Sequence, residues 1–206
     1  MVCERLAIAV SGFPVNILTK LIIAALVGLG LGLWSAAASL NNGGFFDVTR
    51  IGVWRVSPRA GTPEADPYTR ASLERSGEIP LALGEGLQFI ARSDDQGSAL
   101  SAACVYQVGV KTPPARYWTL SAVDRKGFPI ENPAERYGFR SSEILREANG
   151  DFHIAVAATV QPGNWLPVGG EGSFQLVLRL YDSPVSATAG GIDKAAMPGV
   201  RRESCS

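Results

Sequence analysis

The sequence predicts a mainly β protein, namely a β-sandwich or jelly-roll-like domain with one short helix, preceded by a single N-terminal transmembrane helix. Three observations lead to this fold class. An uncharged apolar run lies near the N-terminus. Several short stretches beyond it alternate apolar and polar residues with a period of two. Turn-forming residues, among 23 glycines and 13 prolines, separate these stretches. A two-layer β architecture follows from this pattern.

The composition limits the classes of partner. Lys and Arg together number 19, as do Asp and Glu, so the formal net charge is zero. Nucleic-acid-binding domains usually carry a clear excess of basic residues, and nucleic acid is therefore not expected as a partner. The 206 residues, of which 46% are hydrophobic, are enough for one ordinary domain with an appendage.

The apolar run covers residues 21–38 and contains no charged residue. At about 1.5 Å per residue, roughly 18 helical residues nearly span a hydrocarbon core of about 30 Å. Three interpretations stay open: an uncleaved membrane anchor, a signal peptide cleaved near the small residues 36–38, or a buried helix of a soluble protein. The first two both export the remaining chain.

The anchor interpretation sets the topology of the whole chain. Residues 1–20 form a short cytoplasmic flank, and residues 21–40 cross the inner membrane of a bacterium once. The domain beyond them lies in the periplasm, because a short flank with basic residues usually stays in the cytoplasm. Gly28 and Gly32 have the G-x-x-x-G spacing of helix pairs in membranes, so a homodimer is a possible assembly.

The sandwich domain is predicted over residues 45–182, followed by a loose C-terminal tail over residues 183–206. Its strands are assigned from period-two alternation and flanking turns. In the clearest strand Phe152 and Ile154 share one face, whereas His153 lies on the other. The predicted strands are 49–56, 87–91, 103–110, 116–123, 128–130, 152–160 and 174–181.

One short helix is predicted after the first strand. Asp66 is the expected N-cap and Pro67 the first helical residue, while Gly77 is the expected C-terminal stop. Residues 141–147 are expected to add one or two further helical turns.

The three cysteines fit an exported domain. Cys3 would be cytoplasmic, whereas Cys104 and Cys205 would share the oxidising side of the membrane. We predict a disulfide between Cys104 and Cys205 that ties the tail to a strand. Two unpaired thiols are the alternative, because the sequence does not fix the distance between their Cα atoms.

The sequence lacks the residue sets of common catalytic and metal sites. His153 is the only histidine and falls within a regular strand, so neither a serine-hydrolase triad nor a zinc or iron site is predicted. Asp94 and Asp95 are expected in a solvated turn, because the remaining ligands of a calcium loop do not follow them. Glu143 and Glu147 would share a solvated helix face. No catalytic residue, metal or cofactor is therefore predicted.

One set of aromatic, arginine and asparagine residues has two interpretations. Rings stack on apolar ligand faces and guanidinium groups bind carboxylates, so the set could form a pocket for a sugar or an acid. The same residue types also close the open ends of a β-sandwich. The candidate ligand-binding residues are Trp118, Arg136, Tyr137, Asn164, Trp165, Arg179 and Tyr181.

Five sequence blocks in order resemble the family called domain of unknown function 1214. They are residues 117–120, 132–133 with 136–137, 149–151, 164–167 and 178–181. In larger bacterial proteins that domain follows a second one, numbered 1254, and this chain resembles the short membrane-anchored members. The resemblance covers roughly residues 50–182. It implies a β-sandwich in the cell envelope, but no established reaction and no catalytic residue.

These observations favour a non-enzymatic, membrane-anchored envelope domain that binds an unknown protein or small molecule. The alternative is an enzyme or enzyme accessory that acts on saccharides or another envelope substrate.

Overall fold

The computed structural model describes residues 16–41, 48–77, 79–82, 84–169, 171–184 and 192–205. Cys3, most of the predicted cytoplasmic flank and the start of the predicted domain lie outside these residues. The described chain forms two α-helices and ten strands. They are α1 (Ile17–Asn41), β1 (Thr49–Ile51), β2 (Trp54–Val56), α2 (Pro67–Ser76), β3 (Gly86–Ala91), β4 (Cys104–Val110), β5 (Tyr117–Val123), β6 (Gly138–Arg140), β7 (Phe152–Ala157), β8 (Asn164–Pro167), β9 (Gln175–Tyr181) and β10 (Gly199–Cys205).

The strands form two sheets, which confirms the predicted mainly β fold class. One sheet has six strands in the order β1-β2-β3-β9-β5-β6, and the other has four in the order β10-β4-β7-β8. Neighbouring strands are antiparallel except for β7 and β8, which are parallel.

The hydrophobic core lies between the two sheets. The ring of Trp118 from the six-stranded sheet stacks on Phe152 from the four-stranded sheet, with centroids 5.0 Å apart. Alternate residues of each strand point inward, as the period-two pattern predicts. Phe89, Leu120 and Ile154 are at most 1% exposed and belong to one continuous buried cluster. At about 25 cal/mol per Å² of buried apolar area, this cluster is the main stabilising element of the domain.

Helix α1 is long and apolar enough to cross a membrane. Residues Ile17–Leu40 have a mean hydropathy of 2.1, and none of the apolar window is buried against the rest of the protein. The helix begins before the predicted residue 21 and includes Lys20. The space beside Gly28 and Gly32 is open, so the homodimer stays a prediction.

Helix α2 begins and ends where the sequence predicts. The Asp66 carboxylate accepts hydrogen bonds from the backbone N–H groups of Tyr68 and Thr69 at 3.0 and 3.1 Å, and also from the Thr69 hydroxyl. Gly77 ends the helix in the left-handed conformation, with its N–H bonded to the Leu73 carbonyl. These caps satisfy backbone groups that a helix leaves unpaired at its two ends.

Two local predictions in the sheets and loops were wrong. Residues 49–56 form a hairpin of two short strands instead of one strand, and Gly52 takes a left-handed φ of 62° at its turn. Residues 141–147 form turns without a helix. The side chain of Asn164 bonds both the N–H and the carbonyl of Leu145, so these groups cannot join a helical ladder.

The described C-terminal residues, 192–205, do not form the predicted loose tail, whereas residues 185–191 and 206 of that predicted tail lie outside the described residues. Residues 192–205 end in β10, which pairs with β4 along its length and forms one edge of the four-stranded sheet. Cys104 and Cys205 form the expected disulfide across this pair, with their Cα atoms 4.0 Å apart. Residues 128–130 form only a single bridge, between Val123 and Pro129, instead of the predicted strand.

We predict that Asp66→Ala lowers the free energy of unfolding by about 1 kcal/mol, because α2 loses its N-cap. Burial alone would raise the pKa of Asp66, but its hydrogen bonds from Thr69 and Tyr68 outweigh burial and lower the pKa. A lowered pKa gives stability that is full above the unfolded-state pKa and lost as pH falls through the folded-state pKa. Asp66→Asn is the control, since it keeps a capping oxygen but does not titrate.

Urea unfolding at neutral and acidic pH measures both effects. The stability difference between the wild type and Asp66→Asn should shrink as pH falls. A difference that is constant with pH would contradict the role of the charged cap.

We also predict that the disulfide stabilises the domain by about 2 to 4 kcal/mol, because it restrains a chain segment with a sequence separation of 101 residues. Reductant should lower the urea midpoint of the wild type and of Cys3→Ser equally. The midpoint of Cys104→Ser/Cys205→Ser should not respond to reductant. A wild-type midpoint that does not change on reduction would disprove the contribution.

Candidate functional site

The seven candidate ligand-binding residues lie in separate parts of the fold. Trp118 is 3% exposed and belongs to the core between the sheets. Asn164 is also buried, and its amide donates hydrogen bonds of 2.9 Å to the carbonyls of Leu145 and His153. It thereby joins the loop before β7 to the parallel pair β7–β8. The contacts of Trp118 and Asn164 are those of structural residues.

Arg136, Tyr137 and Trp165 are more accessible. The Arg136 guanidinium lies over the Phe139 ring, 4.6 Å from its centroid, and 3.9 Å from a Glu143 carboxylate oxygen. Tyr137 follows it in the chain and is 42% exposed. The Trp165 indole N–H donates to the Ala157 carbonyl at 3.0 Å.

Arg179 and Tyr181 lie on the outer face of the six-stranded sheet. The Arg179 Nε donates to the Gln88 side-chain oxygen at 2.7 Å, and the Tyr181 ring is 5.9 Å from that of Tyr117. None of the seven residues lines either of the two large cavities found in the described part of the chain. Ligand binding by these residues stays a prediction.

The stronger candidate is a groove between α2 and the outer face of β1, β2 and β3, which we call the α2 groove. Its volume is about 560 Å³, within the range of roughly 300 to 1,000 Å³ typical of small-molecule sites. It is lined by Val48, Arg50, Arg55, Val56, Ser57, Pro58, Ala60, Thr69, Ser72, Leu73, Pro80, Leu81, Gly86, Leu87, Gln88, Ile90 and Arg92.

Three arginines line this groove, one each from β1 and β2 and one from the residue that follows β3. Arg50 and Arg55 are directly opposite each other in the β1–β2 pair, and Arg55 is opposite Ile90 in the β2–β3 pair. Arg92 follows Ile90 by two residues, so its side chain has the same direction. Arg92 is held in place by a hydrogen bond of 2.9 Å from its Nε to the side-chain oxygen of Gln175.

The groove is electropositive. No carboxylate of the described residues forms an ion pair with Arg50, Arg55 or Arg92, and none lines the groove. Burial, followed by the charges of Arg50 and Arg92, lowers the pKa of Arg55. An arginine nevertheless stays protonated at physiological pH, so three positive charges face the same space.

The opposite wall of the groove is apolar. Leu73 comes from α2, while Pro80 and Leu81 come from the segment before β3. Leu73, Leu81 and Ile90 are half-buried, so part of their apolar surface is open to the groove. The arrangement can bind a molecule that has an anionic and an apolar part.

The expected turn at Asp94 and Asp95 lies beside a second cavity, of about 610 Å³. Asp94 is fully buried, not solvated as predicted, and its Oδ1 accepts from the N–H groups of Gln96 and Ser98. Asp95 accepts from the Val200 N–H at 2.9 Å and so holds the start of β10. Within the described ranges, no group of three or more His, Cys, Asp or Glu residues is placed to hold a metal.

The potential acid–base pairs considered from sequence are dispersed. His153 Nε2 lies 3.3 Å from a carboxylate oxygen of Glu147, on the other sheet from the α2 groove. Glu143 instead accepts a hydrogen bond from the Arg140 N–H. These groups face different neighbours and do not form a paired-carboxylate site.

Sequence reasoning missed the α2 groove. Its residues come from segments spread over residues 48–92, and each segment alone resembles an ordinary strand or helix. A usable signal was present in the first hairpin, where Arg50 and Arg55 alternate with the inward-pointing Ile51, Trp54 and Val56. That alternation places both arginines on the outer face.

Comparison with solved structures supports the fold. The crystal structure of the VPA0106 protein from Vibrio parahaemolyticus is similar with a TM-score of 0.58 at 17% identity, over 94% of this chain and 47% of that chain. An uncharacterized protein from Burkholderia cenocepacia gives a TM-score of 0.39 at 16% identity, over 72% of this chain and 46% of that one. The present chain thus covers about half of each, and the first likeness shows a shared fold.

Comparison of sequences identifies the family. No curated protein sequence matches the chain significantly. The family described as "Protein of unknown function (DUF1214)" matches residues 85–185. All but the last three of these residues lie within the range 50–182 that the sequence blocks predict. This match confirms the expected family, and the chain belongs to the DUF1214 family of proteins of unknown function.

Proposed function

We propose that this protein is a membrane-anchored binding module of the bacterial cell envelope, with the α2 groove as its ligand site. The observation that carries the proposal is the α2 groove itself, which has the volume of a small-molecule site. It combines Arg50, Arg55 and Arg92 with an apolar wall and is lined by no described carboxylate. Apolar surface next to convergent polar groups is typical of ligand sites.

Binding is favoured over catalysis by the chemistry of the lining residues. The polar side chains among them are arginines, hydroxyl groups and one glutamine, which are groups suited to hydrogen bonding. A general base with a pKa near neutrality, the usual partner of an activated hydroxyl nucleophile, is not among the described lining residues.

The location in the envelope rests on two features. Helix α1 is long and apolar enough to serve as an anchor, and its short basic flank favours a cytoplasmic N-terminus. The domain would then be periplasmic. The disulfide between Cys104 and Cys205 supports this side of the membrane, because such bonds persist in oxidising compartments.

The anchor would hold the α2 groove close to the membrane. Val48, which lines the groove, follows the end of α1 by seven residues, a step of at most about 25 Å. Helix α2, which forms one wall, also contacts α1. A ligand that comes from the membrane surface would therefore be within reach.

We predict that Ser72→Trp abolishes ligand binding, because a large side chain on α2 would fill the groove. The matched control is Glu74→Trp, which adds the same side chain to an exposed position of α2 outside the groove lining. The full chain in neutral detergent would be screened for thermal stabilisation by sugars, organic acids, organic phosphates and lipids. A ligand at 100 times its Kd should add about 2.7 kcal/mol of stability.

Stabilisation of the wild type and Glu74→Trp, but not of Ser72→Trp, is the expected result. A ligand that stabilises all three proteins equally would place the binding site elsewhere and contradict the proposal.

A further inference from the structure

We infer that the α2 groove takes an anionic amphiphile, a molecule with one phosphate or carboxylate group and an alkyl chain. Arg50, Arg55 and Arg92 would hold the anionic group, and the chain would lie along Leu73 and Ile90. The inference rests on the proposed function of the groove and specifies the chemistry of its ligand.

The first argument is the pairing of two like charges. Arg50 and Arg55 are directly opposite in an antiparallel pair, which puts their Cβ atoms about 4.5 to 5.5 Å apart. Like charges in this position destabilise a sheet. An anion between the guanidinium groups would remove this repulsion and replace it with charge-assisted hydrogen bonds.

The second argument is the number of available donors. The Nε of Arg92 is bonded to Gln175, and its terminal nitrogens have no hydrogen-bond partner within the described chain. The side chains of Arg50 and Arg55 likewise have none among the described residues. Guanidinium groups form bidentate hydrogen bonds with phosphates and carboxylates, so three of them can surround one such group.

The third argument is the apolar wall next to these charges. Leu73, Leu81 and Ile90 keep part of their surface open, and Pro58 and Pro80 extend the same lining. A small inorganic anion would leave this surface in water. An alkyl chain would cover it, and each buried CH₂ group favours binding by roughly a factor of four.

Two sources could supply this chemistry. One is the anionic headgroup of a lipid that stays in the bilayer, which the proximity of α1 would allow. The other is a free single-chain anion. Both place the same group on the arginines, and competition with membrane lipid distinguishes them.

The test uses the full chain in nanodiscs of phosphatidylcholine, titrated calorimetrically with octyl phosphate. Inorganic phosphate lacks the chain and octanol lacks the charge, so both should bind at least tenfold more weakly. Arg50→Gln and Arg55→Gln should each weaken octyl phosphate binding about tenfold, the loss expected for one charge-assisted interaction. Arg75→Gln is the matched control, because this exposed arginine of α2 does not line the groove.

A stability measurement separates a ligand-binding role from a structural one. Without ligand, Arg55→Gln should have a melting temperature equal to or above that of the wild type, since it removes the repulsion from Arg50. A melting temperature several degrees lower, with octyl phosphate affinity unchanged relative to Arg75→Gln, would show that Arg55 is structural and overturn the inference.

The remaining outcomes are also decisive. Weaker octyl phosphate binding in nanodiscs that contain phosphatidylglycerol would identify the bilayer lipid as the source, whereas unchanged binding would identify a free amphiphile. Octanol binding as tight as octyl phosphate would overturn the inference. Absence of octyl phosphate binding would also overturn the inference. The proposed function would survive that result if another ligand bound the wild type and Ser72→Trp abolished its binding, because the α2 groove would then be a site for a different kind of ligand.

Discussion

The two-residue period of the β-strand is the constraint on which both the core and the α2 groove depend. Phe89 and Ala91 are fully buried between the sheets, so Gln88 and Ile90 must point outward. The same rule applies to the first hairpin, where burial of Trp54 forces its neighbour Arg55 onto the outer face. Register therefore fixes the charged surface as strictly as it fixes the core, because a slip of one residue would exchange the two faces.

This coupling explains why most of the fold was predictable from the sequence. Strands β4, β5 and β7 each bury alternate residues, and their apolar pattern is visible without knowledge of their neighbours. Helix α2 was predictable for a different reason. Its start and end depend on Asp66, Pro67 and Gly77, whose effects are local in the chain.

The elements that sequence reasoning missed depend on contacts distant in the chain. Strand β10 is mostly exposed and rich in charged residues, so it carries no apolar pattern, and its position depends on the backbone of β4 and on Asp95. Strand β8 has only four residues and ends in proline. The predicted turns of helix at 141–147 failed because Asn164, far along the chain, binds the backbone of Leu145. Local propensity is weaker than such tertiary bonds.

The candidate site was harder to predict because conspicuous residues are often structural. The tryptophans, asparagine and arginines chosen from sequence include Trp118, which fills the core, and Asn164, which joins a loop to the sheet. The α2 groove instead uses arginines that look ordinary in a strand. Their importance appears only when adjacent strands place like charges side by side in a groove that no described carboxylate lines.

That arrangement has an energetic implication for how the domain is built. Opposed arginines such as Arg50 and Arg55 lower the stability of the free sheet. Neither forms an ion pair with a described carboxylate, although both also line the second cavity beside Asp94 and Asp95. Binding sites commonly retain features that cost stability, because function requires them. The opposed arginines are consistent with the proposed ligand site for this reason, and the disulfide and the two-sheet core supply stability that offsets their repulsion.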